Sequence, residues 1–265
     1  MKRIEKGVEP SGLALFRAGQ PDATWDEFKL YDKGNCYRAL VQYLYMKQQG
    51  LCAYCEINLV LDQHGRRDYS VDHFHPKSKA SDERNWALDY ENLFLSCRGG
   101  SDTIWANQED QGRYLKPVKE NLSCDAKKGN QILDNKILNP FEMPDQIRLF
   151  EMNLHGEVKP HPENCVRAGV DEKKIQATIT ELGLDCERLR RARKAMWDSL
   201  FDFMLADKSF GEDAILKWIL PDSRQCLTPF HSTLRAFFGK KGDDLIASHG
   251  MFPIASSCQA GIPPP

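Results

Sequence analysis

No stretch of the sequence approaches the roughly 18 consecutive apolar residues that a membrane-spanning helix requires, so no such segment is expected. Net charge is almost absent, at −2 with a pI near 6.4. Overall electrostatics therefore give no sign of a polyanionic partner, and local basic clusters would have to hold one. The opening Met-Lys-Arg-Ile-Glu-Lys lacks the apolar stretch of a secretory signal, which leads to the expectation of a soluble, cytoplasmic protein. Internal repeats are absent too. What is present is a 41% apolar content, enough for a folded core and against global disorder. Nine cysteines, an odd number, argue against a disulfide framework and toward metal ligation or burial. Cys36, Cys165, Cys186, Cys226 and Cys258 stand alone and read as small buried side chains.

Three segments emerge along the chain. Residues 1–50 begin with a Gly-, Pro- and charge-rich stretch to about residue 33, read as an extended arm. Tyr37, Leu40, Val41, Leu44 and Tyr45 then recur at helical spacing, with Gly50 as the stop. Residues 51–140 hold short apolar runs, cysteines, histidines and turn residues, the pattern of a metal-stapled module that Asn139-Pro140 closes. Residues 141–265 are mainly helical after a predicted strand or hairpin at Arg148-Leu149-Phe150 and His155-Gly156. Ile175, Ile179 and Leu182 mark one helix ending at Gly183. Asp185 is a candidate cap for the next, whose stripe is Leu189, Ala192, Met196, Leu200 and Phe203. Thr228-Pro229 predicts a further helix start, and the terminal Gly-Ile-Pro-Pro-Pro is expected to fray.

Cys52-Ala53-Tyr54-Cys55 is a C-x-x-C pair just after the helix stop. Redox motifs share that spacing, but they need a βαβ context that is missing here. Two intervening residues let both thiolates reach one face of a tetrahedral ion. Cys97 follows the apolar run Asn92-Leu93-Phe94-Leu95, and Cys124 precedes Asp-Ala-Lys-Lys-Gly. These are read as the other two ligands, with 98–123 an insertion between them; the alternative is that both are merely buried. Four thiolates leave no open coordination position, so the expected Zn²⁺ is structural.

Between the cysteine pairs lies Tyr69-Ser70-Val71-Asp72-His73-Phe74-His75-Pro76-Lys77-Ser78, a short strand that Pro76 must end. Phosphodiester hydrolysis needs a base for water and a cation for developing charge. A histidine titrating near neutrality suits the first, and a carboxylate is a hard ligand for Mg²⁺ or Mn²⁺. Asp72-His73 offers both, although an isolated pair of this kind is more often an exposed strand end.

The order C-x-x-C, Asp-His, Asn-Leu before a cysteine, then C-x-x-x-Lys-Gly resembles zinc-ribbon HNH endonucleases over about residues 50–140. The resemblance implies an α+β fold: a small ββα-metal (HNH, His-Me finger) core stapled by four cysteines, with an N-terminal arm and helix and a C-terminal helical region. It implies His73 as general base, Asp72 as metal ligand, and Asn92 as the residue tying down the loop between the motif halves. The third position falls at Asp125, where the family has His or Asn; Asn130 is the fallback. His75 is read either as a phosphate-contacting residue or as a structural one. Lys77, Lys79, Lys127 and Lys128 would face the cleft and engage phosphates. The run Arg188, Arg190, Arg191, Arg193 and Lys194 is either a solvated face or a nucleic-acid contact.

The opening Met-Lys-Arg-Ile-Glu-Lys and the stretches Gln49 to Glu56, Val71 to Ser78, Phe150 to Gly156 and Thr178 to Leu184 are similar to one subfamily. These are the PtuB-type HNH proteins encoded beside an ABC-type ATPase in Septu antiphage defence and also found in retron operons. The similarity implies a PtuA-like ATPase partner contacting the C-terminal helices. The competing expectation is a zinc-stapled nucleic-acid or protein-binding module without catalysis, for which the departure at Asp125 is the best support.

Overall fold

A computed structural model describes residues 1–61, 65–78, 84–101, 118–144, 147–206 and 211–249. The chain is α+β. Two helices, α1 (Ser11–Gly19) and α2 (Trp25–Leu30), precede α3 (Asn35–Lys47), which carries the expected Leu40, Val41 and Leu44 stripe. The first two replace the extended arm predicted there. Each is short and buries only a pair of residues, Leu13 with Phe16 and Trp25 with Phe28, so neither has a periodic signal long enough to read. Thr24 caps α2 in a reciprocal capping box with Glu27. The first residues are extended and inserted: Met1, Ile4 and Lys6 are all buried. Ile4 N–H donates to the Pro140 carbonyl, and Lys6 Nζ donates to the Tyr90 carbonyl at 2.6 Å.

Strands β1 (Tyr69–His73) and β2 (Leu93–Cys97) pair antiparallel, with Asp72 opposite Phe94 and His73 opposite Leu93. β2 is buried along its whole length, and the short helix α4 (Cys124–Lys128) packs against it. The predicted hairpin appears as β3 (Phe150–Met152) and β4 (Val158–Pro160), turning at Gly156. Then come α5 (Pro162–Ala168), α6 (Glu172–Glu181), α7 (Glu187–Ala206), α8 (Glu212–Ile219) and α9 (His231–Ser248).

Three further expectations change. Asp185 does not serve as the cap of α7; its carboxylate accepts from Val158 N–H and pairs with Arg190. Thr228-Pro229 lie ahead of α9, which begins only after Phe230 in a left-handed conformation. Phe203 is 41% exposed, covered only in part by the Trp218 ring of α8 at 6.1 Å. The main apolar core runs from Met1 through Leu189 across both expected segment boundaries. A second cluster joins Leu200 to Ile215, Ile219, Leu234 and Leu245. Among the described residues, no helix is long and apolar enough to cross a membrane.

Candidate active site and metal centre

The turn after α3 places Cys52 and Cys55 on one side: Glu56 N–H returns to the Cys52 carbonyl, and Glu56 itself takes a left-handed φ of 61°. Cys97 ends β2, and its N–H points at Cys52 Sγ, 3.3 Å away. Cys124 opens α4 with φ of 56° and is tied by its N–H to the Leu182 carbonyl. The four sulfurs lie within 4.8 Å of one another, all buried. Individual separations are 3.8 Å for Cys52–Cys124, 3.8 Å for Cys97–Cys124 and 3.6 Å for Cys55–Cys97, too long for disulfides, whose sulfurs sit about 2.05 Å apart. This group can hold a metal ion. The chain reaches it through Gly99, at φ of 59°, where a Cβ would lie 2.0 Å from the Ser123 carbonyl oxygen.

Two members of the basic run lie beneath this cluster. Arg188 and Arg193 are buried, and Arg188 Nη2 donates to Ser123 Oγ at 2.6 Å. Burial works to lower the Arg188 guanidinium, but the surrounding thiols of Cys97, Cys55, Cys186 and Cys124 overturn that and raise it. Arg190 pairs with Asp185, Arg191 with Glu187 and Lys194 with Asp198. Arg193 donates to the Gly156 carbonyl at 2.7 Å, so Arg188, Arg190 and Arg193 serve the fold, while Arg191 and Lys194 form exposed pairs.

Asp72 and His73, adjacent on β1, point to opposite faces. Asp72 is buried against Lys128 Nζ at 2.9 Å and accepts a hydrogen bond from Tyr54 Oη, and Asp125 stands within hydrogen-bonding reach. Burial pushes the Asp72 carboxyl up to about 8; Lys128 opposes the rise and Asp125 adds to it. Asp72 and Asp125 each offer carboxyl oxygens, which are hard donors. That donor set fits a divalent cation.

His73 is buried edge-on against Trp25, with ring centroids 4.8 Å apart. Its Nε2 lies 3.1 Å from the Ala87 carbonyl, which can only accept, so Nε2 carries the hydrogen and Nδ1 the lone pair. Burial lowers this imidazole to about 4, with help from Lys77, Lys128 and Lys29, so it is neutral at pH 7 and able to take a proton. Asn92, also buried, accepts from His75 N–H at 2.7 Å and donates to the carbonyls of His75 and Trp86. It joins the two sides of the loop between β1 and β2.

Some expected residues sit elsewhere. Lys128 does not face a cleft: it is 1% exposed, and besides Asp72 its Nζ reaches the carbonyls of His73 and Phe74. Lys127 is half-buried and Lys77 exposed, while Lys79 and Cys258 lie outside the described residues. Asn130 is exposed on the turn after α4 rather than on the helix. His75 has a setting that its sequence neighbours do not announce. Its Nδ1 faces both oxygens of Asp134 at 3.0 Å, and its ring stacks on Trp86 at 4.2 Å. Tyr54, Trp86 and Asp134 were not foreseen as site residues. Tyr54 alone had a signal, its place between the first two cysteines.

Asp72 with Lys128 and Asp125, an oriented His73 and a cysteine group that can hold a metal ion thus lie within one small α+β unit. No protein-family model matches the chain. It is 35% identical over 221 residues, 77% of this chain and 80% of the relative, to the Escherichia coli protein named "Retron Ec83 putative HNH endonuclease". The chain belongs to the HNH endonucleases.

Proposed function

We propose that this chain is the nuclease of an antiphage defence complex of the Septu or retron type, acting with a PtuA-like ABC-type ATPase. The observation that carries the catalytic part is the convergence of Asp72, Asp125 and Lys128 at β1, with Lys128 also reaching the backbone of the adjacent His73, whose ring the Ala87 carbonyl orients. In this reading β1, β2 and α4 are the ββα core of the HNH fold. The residues assigned are His73, Asp72, Asn92 and Asp125, with the structural ion on Cys52, Cys55, Cys97 and Cys124.

Zn²⁺ suits the cysteine centre. Four sulfurs each about 2.3 Å from a tetrahedral zinc stand about 3.8 Å from one another, close to the separations of 3.6 and 3.8 Å here. Asp72 and Asp125 would hold Mg²⁺ or Mn²⁺, which would supply positive charge for the transition state and the departing oxygen. His73 Nδ1 takes the proton of the attacking water. Asn92 keeps the loop between the strands closed around that imidazole, and Lys128 holds the carbonyls of His73 and Phe74 in register with Asp72. The ATPase partner rests on the resemblance and on the retron relative. For its contact we assign the end of α7, where Phe201, Phe203, Met204 and Leu205 are exposed.

The test is cleavage of single-stranded DNA, duplex DNA and transfer RNA by the protein alone and with its ATPase, in Mg²⁺, Mn²⁺ or EDTA. A His73→Ala variant of matched zinc content runs beside it. Metal-dependent cutting that drops at least ~100-fold in His73→Ala is expected. Equal cutting by His73→Ala removes the base assignment. No cutting by the complex favours a zinc-stapled binding module.

A further inference from the structure

The chain as a whole is slightly acidic, yet a concave groove of about 620 Å³ beside β1 is lined by Lys29, Arg66, Arg67 and Arg98. No Asp or Glu is among its described lining residues, and Tyr37 and Tyr69 form part of its wall. The four cations come from separate pieces of chain: α2, the turn before β1, and the residue after β2. Lys29 also contacts Asp26 at 2.9 Å on its own helix. Arg67 lies over the Tyr69 ring at 5.9 Å. The nearby Asp68 is buried and accepts from Val60 N–H.

The groove's position connects it to the catalytic strand. Side chains at alternate positions of a strand share a face, so Tyr69 and Val71, which line the groove, are followed on that face by His73. Trp25 bridges the two, touching His73 edge-on and Tyr37 at 5.8 Å. Lys29 stands one helical turn beyond Trp25, and its charge is among those that reach His73.

We propose that this groove is the track for the substrate's sugar–phosphate backbone, with Arg66, Arg67, Arg98 and Lys29 neutralising phosphates of the strand that leads to His73. The assignment rests on the nuclease reading and adds its substrate path. It differs from the four lysines read from the sequence, one of which is buried as the partner of Asp72. Phosphate is the shared chemistry of a polymer and of a free nucleotide, and the groove's volume suits either. Its continuation toward His73 favours the polymer.

The test is equilibrium binding in EDTA, where no strand is cut, of labelled single-stranded DNA, duplex DNA and RNA, with ATP and inorganic phosphate as competitors. Wild type, a triple Arg66→Ala/Arg67→Ala/Arg98→Ala variant, the corresponding triple Lys variant and an Arg191→Ala/Lys194→Ala control are compared, alone and with the ATPase. Matched metal content and melting temperature establish that each is folded. The alanine triple should bind oligonucleotide at least ~10-fold more weakly and lose about two to three units of salt slope. The lysine triple should keep most of both, and the α7 control should match wild type. Wild-type affinity and slope in the alanine triple would overturn the groove while leaving His73-dependent cleavage intact. Displacement of oligonucleotide by micromolar ATP or phosphate from the wild type would assign the groove to a free nucleotide instead. Failure of the wild-type complex both to bind and to cut any strand would remove the groove and the nuclease reading together.

Discussion

Burial sets the protonation of several groups in this protein more firmly than their neighbours do. His231, at the start of α9, is 1% exposed, and its Nε2 lies 3.0 Å from the Ile219 carbonyl. Burial lowers its imidazole to about 4, Glu56 pulling the other way and Arg235 reinforcing the drop. The unfolded chain, near 6.5, therefore takes up a proton before the folded one does. Stability from this residue is intact above about pH 7 and declines as the pH falls from 6.5 toward 4. Between pH 7 and 5 the loss is about 2 kcal/mol. Urea titrations of the wild type and of His231→Gln at both pH values check this. The variant should lack that share of the pH-dependent loss, and an equal loss in both would show that His231 is not responsible. Among site residues, the strand alternation that separates Asp72 from His73 is visible in the sequence. Lys128 as the ammonium beside Asp72 is not, since nothing local distinguishes it from the exposed lysines nearby. Asp134 beside His75 depends on a return of the chain 59 residues later.

At the scale of elements, α4 has only five residues, too short to persist by helix propensity alone. Its place is set by Cys124 at one end and Lys128 at the other. Removing a cysteine of the cluster should therefore release α4 from β2. Cys97→Ser and Cys124→Ser are expected to fall from about one structural ion per chain to a small fraction of that, as a four-ligand site loses a ligand. Their melting temperatures should drop by ten degrees or more, whereas Cys165→Ala, away from the cluster, should retain the ion. Metal analysis with thermal denaturation decides; full metal content in Cys124→Ser would refute the staple. The elements with a sustained period were legible: the Tyr37-to-Tyr45 helix, the strand ending at His73 and the hairpin around Gly156. α1 and α2 were not, because Pro10 ahead of α1, Gly12 and Gly19 within it and Pro21 ahead of α2 mask two helices that each offer a single pair of buried residues.

Across the whole molecule, the two apolar clusters differ in size. The larger includes the N-terminal residues, the cysteine turn, both strands and α6, whereas the smaller joins the far half of α7 to α8 and α9. A unit with fewer buried side chains opens at lower free energy. Hydrogen exchange should therefore show α8 and the end of α7 losing protection ahead of β2, by at least ~10-fold in rate. Equal protection across both clusters would mean that they unfold as one unit. The basic run on α7 shows why charge counts read poorly at this scale. Five cations close together in sequence disperse once the helix is packed, Arg188 to Ser123, Arg190 and Arg193 to Asp185, Arg191 to Glu187 and Lys194 to Asp198.

Cys124, Asp125 and Lys128 occupy the first, second and last positions of α4, so one short helix serves both the sulfur cluster and the carboxylate pair. A helix turns about 100° per residue. One residue inserted between Cys124 and Lys128, whatever its identity, would swing the ammonium a quarter-turn or more away from Asp72 while the cysteine stayed anchored. The length of this segment is accordingly constrained as tightly as its composition. Within it, relatives that keep both centres should accept substitutions between the anchors far more readily than insertions or deletions.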